Sequence, residues 1–248
     1  MKTGFLIATI GLALALSGCG SKDEGNQAVG APTGAPVAAV AAPKGTVWSE
    51  TVAATPEGGF RMGNPDAPLK LIEYASFTCP HCAEFAETAD EGLRAKVDTG
   101  KVSFEFRNLI RDPLDLTAAV LARCGGKDPF LPLAHQMFAN QAAMFKTIQG
   151  AGDPAYQAAM QAPPNQRLVK LAELAGLIEF VKARGVAEPA ARICLSDGAA
   201  AEKLANESNA GAEKYTVEGT PTLILNEKKL DNANTWPTLE AALKQAGA

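Results

Sequence analysis

Two cysteines separated by two residues, Cys79-Pro80-His81-Cys82, are the residues of this chain best suited to chemistry. A short apolar run, Leu69 to Ala75, leads into them, and a helical pattern, Ala83 to Val97, leads out. The spacing predicts a strand, a tight turn and a helix, with the dithiol at the helix start. Cysteines three apart at a helix N-terminus can bond to each other. Cys79 falls where unpaired backbone N–H groups converge and the helix dipole is positive. Such a site stabilises a thiolate and lowers the thiol pKa. Pro80 suits the first helical turn, where its missing N–H costs nothing. His81 can add positive charge or a donor beside the sulfur. The chemistry this pattern suggests is thiol–disulfide exchange.

The elements that must position the dithiol follow from periodicity. Gly63 to Pro68 is a loop by its glycine and prolines, and Leu69 to Ala75 is the strand behind the site. Lys101 to Phe106 alternates and reads as a second strand. Helical patterns then run Leu116 to Cys124, capped by Asp115, and Phe130 to Ile148, Pro154 to Gln161, Gln166 to Arg184, Pro189 to Leu195 and Ala199 to Tyr215. Strands return at Thr222 to Leu225 and Lys228 to Leu230, and a helix closes the chain over Pro237 to Gln245. Two half-folds flanking a helical block, about residues 112–198, make an α/β description. Upstream, Gly45 to Phe60 reads as a short strand and turn. Gly20 to about Ala42, poor in large apolar side chains, reads as a flexible tether.

Composition sets the compartment. The net charge of −4 and the absence of a basic run exclude a nucleic-acid partner. Lys2, the apolar run Phe5 to Leu16 and the small residues after it make a secretory signal over residues 1–18. Leu16-Ser17-Gly18-Cys19 resembles a bacterial lipobox, which implies cleavage before Cys19, a lipid on its thiol, and attachment to a membrane of the cell envelope. Export permits disulfides. The chain has 5 cysteines, and with Cys19 set aside an even four remain. Cys124 and Cys194 stand at opposite ends of the helical block. Export favours a bridge between them, closing a loop of about 70 residues, over two buried free thiols.

A second signal lies far along the chain. Gly219-Thr220-Pro221-Thr222 opens a strand, where a proline cannot donate to the ladder. Together, Leu71-Ile72-Glu73-Tyr74-Ala75-Ser76-Phe77-Thr78-Cys79-Pro80-His81-Cys82 and this proline loop resemble the DsbA-like thiol:disulfide oxidoreductases of the thioredoxin superfamily. The match covers roughly residues 59–248, leaving 19–58 as tether and lead-in. It implies a thioredoxin-like fold with an inserted helical domain. By the same resemblance Cys79 is an exposed nucleophile and Cys82 its buried partner. Pro80 and His81 tune Cys79, Thr220 and Pro221 meet an extended substrate, and Glu73 is a buried acid assisting proton transfer at Cys82. Its alternative is a surface-facing strand glutamate. No metal is expected: no second ligand pair has zinc spacing, and His135, in a helical pattern, reads as a surface or packing residue.

The implied activity is oxidation of cysteine pairs in exported proteins, without a small-molecule cofactor. A membrane quinone-linked oxidase is the implied redox partner, and a monomer the expected state. A reductase or isomerase would use the same residues. A peptide-binding lipoprotein without turnover would not need Cys79.

Overall fold

The computed structural model describes Met1 and residues 34–248. The expected signal peptide, Cys19 and the first part of the tether lie outside the described residues.

Strand β3 (Leu69–Ala75) lies inside a six-stranded sheet of order β1-β2-β4-β3-β5-β6. It runs parallel to β4 (Val102–Asn108), from Leu69 opposite Val102 to Ala75 opposite Asn108. Parallel neighbours need a crossover, and here it is helix α1 (Pro80–Asp98). On its other side β3 pairs antiparallel with β5 (Thr222–Leu225), which turns into the two-residue β6 (Lys228–Lys229). Asn226 and Glu227, both at positive φ, make that turn without a glycine. Asn226 also accepts from the Lys70 N–H and donates to the Pro68 carbonyl, which helps offset its conformational cost.

The alternation of β3 distributes its side chains between two cores. Leu69, Leu71 and Ala75 join the main core with Phe85, Leu93 and Phe106. Ile72 and Tyr74 form a smaller core with Ile224 on the other face. Glu73 shares the face of Leu71 and Ala75 by the period of two.

Between β4 and the long helix α9 (Gly198–Tyr215) the chain inserts seven helices. They are α2 (Pro113–Arg123), α3 (Lys127–Ala139), α4 (Gln141–Ala151), α5 (Asp153–Met160), α6 (Pro164–Leu174), α7 (Leu177–Lys182) and α8 (Glu188–Ser196). Cys124, at the end of α2, is disulfide-bonded to Cys194 in α8. Helix α10 (Trp236–Gln245) closes the chain.

Several details differ from the sequence reading. The pattern Phe130 to Ile148 is two helices, divided at Asn140. Gln166 to Arg184 is also two, because Gly176 adopts φ +70° and ends the first. An apolar stripe continues across such breaks, so periodicity alone does not register them. The cap of α2 is Asp112, whose side chain accepts from the Asp115 N–H. Asp115 lies inside the helix and is buried.

The folded unit also begins upstream of residue 59. Trp48, in a 3₁₀ turn (Trp48–Glu50), is buried. β1 (Val52–Ala54) and β2 (Phe60–Met62) form a hairpin whose second strand pairs with β4. Nor are residues 34–42 free tether. The N–H groups of Gly34 and Val37 donate to the carbonyls of Gln245 and Gly247, and that of Val40 to Thr99. These acceptors lie at the C-terminal ends of α10 and α1, where helices leave carbonyls unpaired. Trp48 Nε1 donates to the Val40 carbonyl at 2.7 Å. A segment without large apolar side chains is held through its backbone, which composition does not reveal.

Candidate active site

β3 delivers the chain through Ser76, Phe77 and Thr78 to Cys79, which is the N-cap of α1 with Pro80 as first helical residue. The Cys79 carbonyl accepts from the N–H groups of Cys82 and Ala83 at 3.1 and 3.2 Å. This places the two thiols together at the positive end of a 19-residue helix. Both are free, and both are buried. Cys82 is completely enclosed, as expected. Cys79 is only 3% exposed, against the expectation of an exposed nucleophile. The loop from Gly219 to Pro221 covers it: the Cys79 thiol donates to the Thr220 carbonyl at 3.2 Å. The Thr220–Pro221 peptide is cis.

The two sulfurs are held in opposite protonation states. The hydrogen bond from Cys82 is the largest influence on Cys79 and lowers its pKa, burial opposes it, and the Thr220 side chain and the backbone N–H groups of Cys82 and His81 lower it further, to about 5. Thr220 acts in both senses. Its carbonyl favours the thiol, whereas its buried hydroxyl, which has no hydrogen-bond partner among the described residues, favours the thiolate. For Cys82 burial comes first, then the Cys79 hydrogen bond and the charge of Glu73, and all push its pKa up. The His81 imidazole stands in solvent, 3.9 Å from Glu84, so the help His81 gives Cys79 comes through its backbone N–H.

Glu73 is 4% exposed, which removes the surface-facing alternative. Its Oε1 has no hydrogen-bond partner among the described residues. Burial, and secondarily the charge of Cys79, raise its pKa to about 8. It is therefore a carboxylic acid at neutral pH. It lines a mostly apolar cavity with Phe85, Phe106 and Phe138, and His135 of α3 borders the same cavity.

Three side chains of the helical insertion, none singled out as site residues by sequence, hold the turn before Cys79. Asp115 accepts from the Phe77 N–H at 2.8 Å and from the Arg111 N–H at 3.0 Å. Burial raises its pKa to about 7 against those bonds. Asp112 accepts from the Thr78 hydroxyl at 2.6 Å. Gln141 donates from Nε2 to the carbonyls of Phe77 and Cys79, at 2.9 and 3.0 Å. Their only sequence signal is a polar residue in an otherwise apolar helix start, which also describes ordinary caps. Cys124 and Cys194 bond to each other within the insertion, apart from the dithiol.

A family model described as Thioredoxin matches residues 55–245. A Rickettsia bellii (strain RML369-C) relative named "Putative protein-disulfide oxidoreductase" is 28% identical over 191 residues, 77% of this chain. The chain spans less than two thirds of that curated relative, 65% of its length. Among solved structures, a protein-disulfide isomerase from Novosphingobium aromaticivorans superposes with a TM-score of 0.71 at 30% identity, covering 75% of this chain and 96% of that one. Wolbachia pipientis alpha-DsbA1 superposes with a TM-score of 0.60 at 21% identity over 75% of this chain and 89% of that one, a likeness of fold.

Proposed function

The chain belongs to the thioredoxin family, in a thioredoxin-like fold with an inserted helical domain, and on that premise we propose that it is a thiol:disulfide oxidoreductase oxidising cysteine pairs in exported proteins. One observation carries this reading: two adjacent thiols at one helix start, with Cys79 favoured as thiolate and Cys82 as thiol. That asymmetry suits a disulfide that is given away. A substrate thiolate attacks Cys79 Sγ in the Cys79–Cys82 disulfide. The S–S bond breaks and Cys82 leaves, taking the proton that Glu73 carries at neutral pH. The second substrate thiolate then attacks the substrate sulfur of the mixed disulfide and expels Cys79 as a thiolate. Two electrons pass from the substrate dithiol to the enzyme. Thr220 and Pro221, beside the sulfur, are the surface an extended substrate meets, and Pro80 and His81 shape the first turn.

The same proposal makes the chain a monomeric, exported lipoprotein of the cell envelope, anchored at Cys19 and facing the periplasm, with the outer membrane as one destination. Its reoxidant is a membrane quinone-linked oxidase. The lipobox-like Leu16 to Cys19 supports the anchor. The isomerase name of the Novosphingobium structure favours a second reading, disulfide shuffling by the same dithiol. The reduction potential of Cys79–Cys82 separates them. A value of about −120 mV, the region of strong oxidants, supports the oxidase, about −180 mV fits isomerases, and about −270 mV fits thioredoxin-like reductants. A wild type that fails to oxidise a reduced, unfolded ribonuclease, or a Cys79→Ser variant that still does so, overturns the reading.

A further inference from the structure

Gln141 opens α4 at the break that divides the expected single helix. Its side chain is buried, and its one amide nitrogen serves two carbonyls that flank Thr78. Buried carbonyls need donors, and these two are unusual in where they lie. The Cys79 carbonyl already accepts from Cys82 and Ala83, so its orientation defines the first turn of α1. If that peptide plane rotates, both bonds break and the N–H groups no longer converge on the sulfur. Phe77 is gripped on both sides, its N–H by Asp115 and its carbonyl by Gln141. The insertion thus supplies acceptors to one edge of the turn and a donor to the other.

Resting on the reading of Cys79–Cys82 as the exchanging pair, we propose that Gln141 is a positioning residue for that reaction: its amide ties α4 to the carbonyls of Phe77 and Cys79 and holds the dithiol turn in its reactive conformation. During exchange the Cys79 sulfur changes partner, from Cys82 to substrate to neither, while its backbone has to stay fixed. A neutral amide gives the same grip in every one of these states and at every pH. It also offsets the negative ends of two carbonyl dipoles beside a site that must hold an anion. A glutamate in its place would be unable to donate once ionised and would add a negative charge near the thiolate.

The test is an ordered one. In the full chain, reduced at the dithiol, Gln141→Met and Gln141→Glu are titrated by thiolate absorbance at 240 nm. The expected result is a Cys79 midpoint raised by about 0.5 pH unit or more in Gln141→Met, roughly a threefold fall in the thiolate:thiol ratio, and raised further in Gln141→Glu. A packing role alone would lower the melting temperature and leave the midpoint where it was. Midpoints within about 0.2 unit of wild type in both variants overturn the proposal. Should the variants not fold, the side-chain amide resonance of Gln141 in the ¹⁵N-labelled wild type decides. Its shift is expected to follow Cys79 ionisation, and indifference overturns the proposal. A wild type that exchanges no disulfide with a reduced peptide removes the functional reading itself, whereas an active wild type with unmoved midpoints removes only the role of Gln141.

Discussion

The pH dependence of Cys79 alkylation decides what its acidity is for. A thiol with pKa about 5 is about 99% thiolate at pH 7. An ordinary thiol, near 8.5, is about 3% thiolate, so Cys79 carries roughly thirtyfold more of the reactive form. Nucleophilicity falls with pKa, however, with a Brønsted coefficient of about 0.4–0.5. Over about 3.5 units that is a loss of roughly fortyfold per thiolate, so the two effects cancel for attack. No such cancellation applies to departure, since a sulfur of lower pKa leaves faster. The site therefore favours expulsion of Cys79 from a mixed disulfide rather than attack by it. Iodoacetamide labelling of the reduced protein, followed by mass spectrometry, should give a Cys79 rate that is half-maximal near pH 5. Cys82 should remain unlabelled, being held as a thiol. Cys82→Ala removes the largest contribution, a charge-assisted hydrogen bond of about 1.5–3 kcal/mol, and should raise the midpoint by about one unit or more. A wild-type midpoint above about 7.5, or labelling of both cysteines at similar rates, refutes the reasoning.

Two further outcomes follow from the buried acid and the bridge. Glu73 has a folded pKa of about 8 against 4.5 unfolded, so the native state holds the extra proton between these values and stability falls as pH rises through that window. Glu73→Gln should therefore match wild type in urea unfolding below about pH 4.5 and gain on it progressively to about pH 8, by on the order of 5 kcal/mol, while slowing oxidation of a substrate peptide. A pH-independent difference would contradict the buried-acid assignment. The Cys124–Cys194 bridge spans a sequence separation of 70. Replacing both residues by serine should cost about 4 kcal/mol of unfolding free energy in a denaturant titration and leave the Cys79–Cys82 potential in place.

Sequence reasoning reached the dithiol because its signals are local. A strand pattern, two cysteines three apart and a helix pattern already specify that Cys79 caps a helix, and α1 does begin there. The strand–helix–strand, helical block, strand–strand–helix order is equally legible, since each element rests on its own periodicity. Glu73 was legible as a position on β3, but periodicity left its burial open against a surface-facing alternative, and only the resemblance implied it. Whether a strand glutamate meets solvent depends on what packs over that face, here the aromatic side chains around its cavity.

The features that periodicity missed share one cause, contacts between segments far apart in the chain. Asp112, Asp115 and Gln141 reach the dithiol turn across 34 to 64 residues of chain. Residues 34–40 join helix ends more than 50 residues later. The Thr220 carbonyl arrives over Cys79 from 141 residues away and turns an expected exposed thiol into a covered one. The reactive pair and its place at the start of α1 are legible from the chain alone, because both depend on sequence neighbours. Enclosure, proton affinity and the grip on the turn depend on neighbours in space, and no periodicity encodes a hydrogen bond between elements that meet only once the chain has folded.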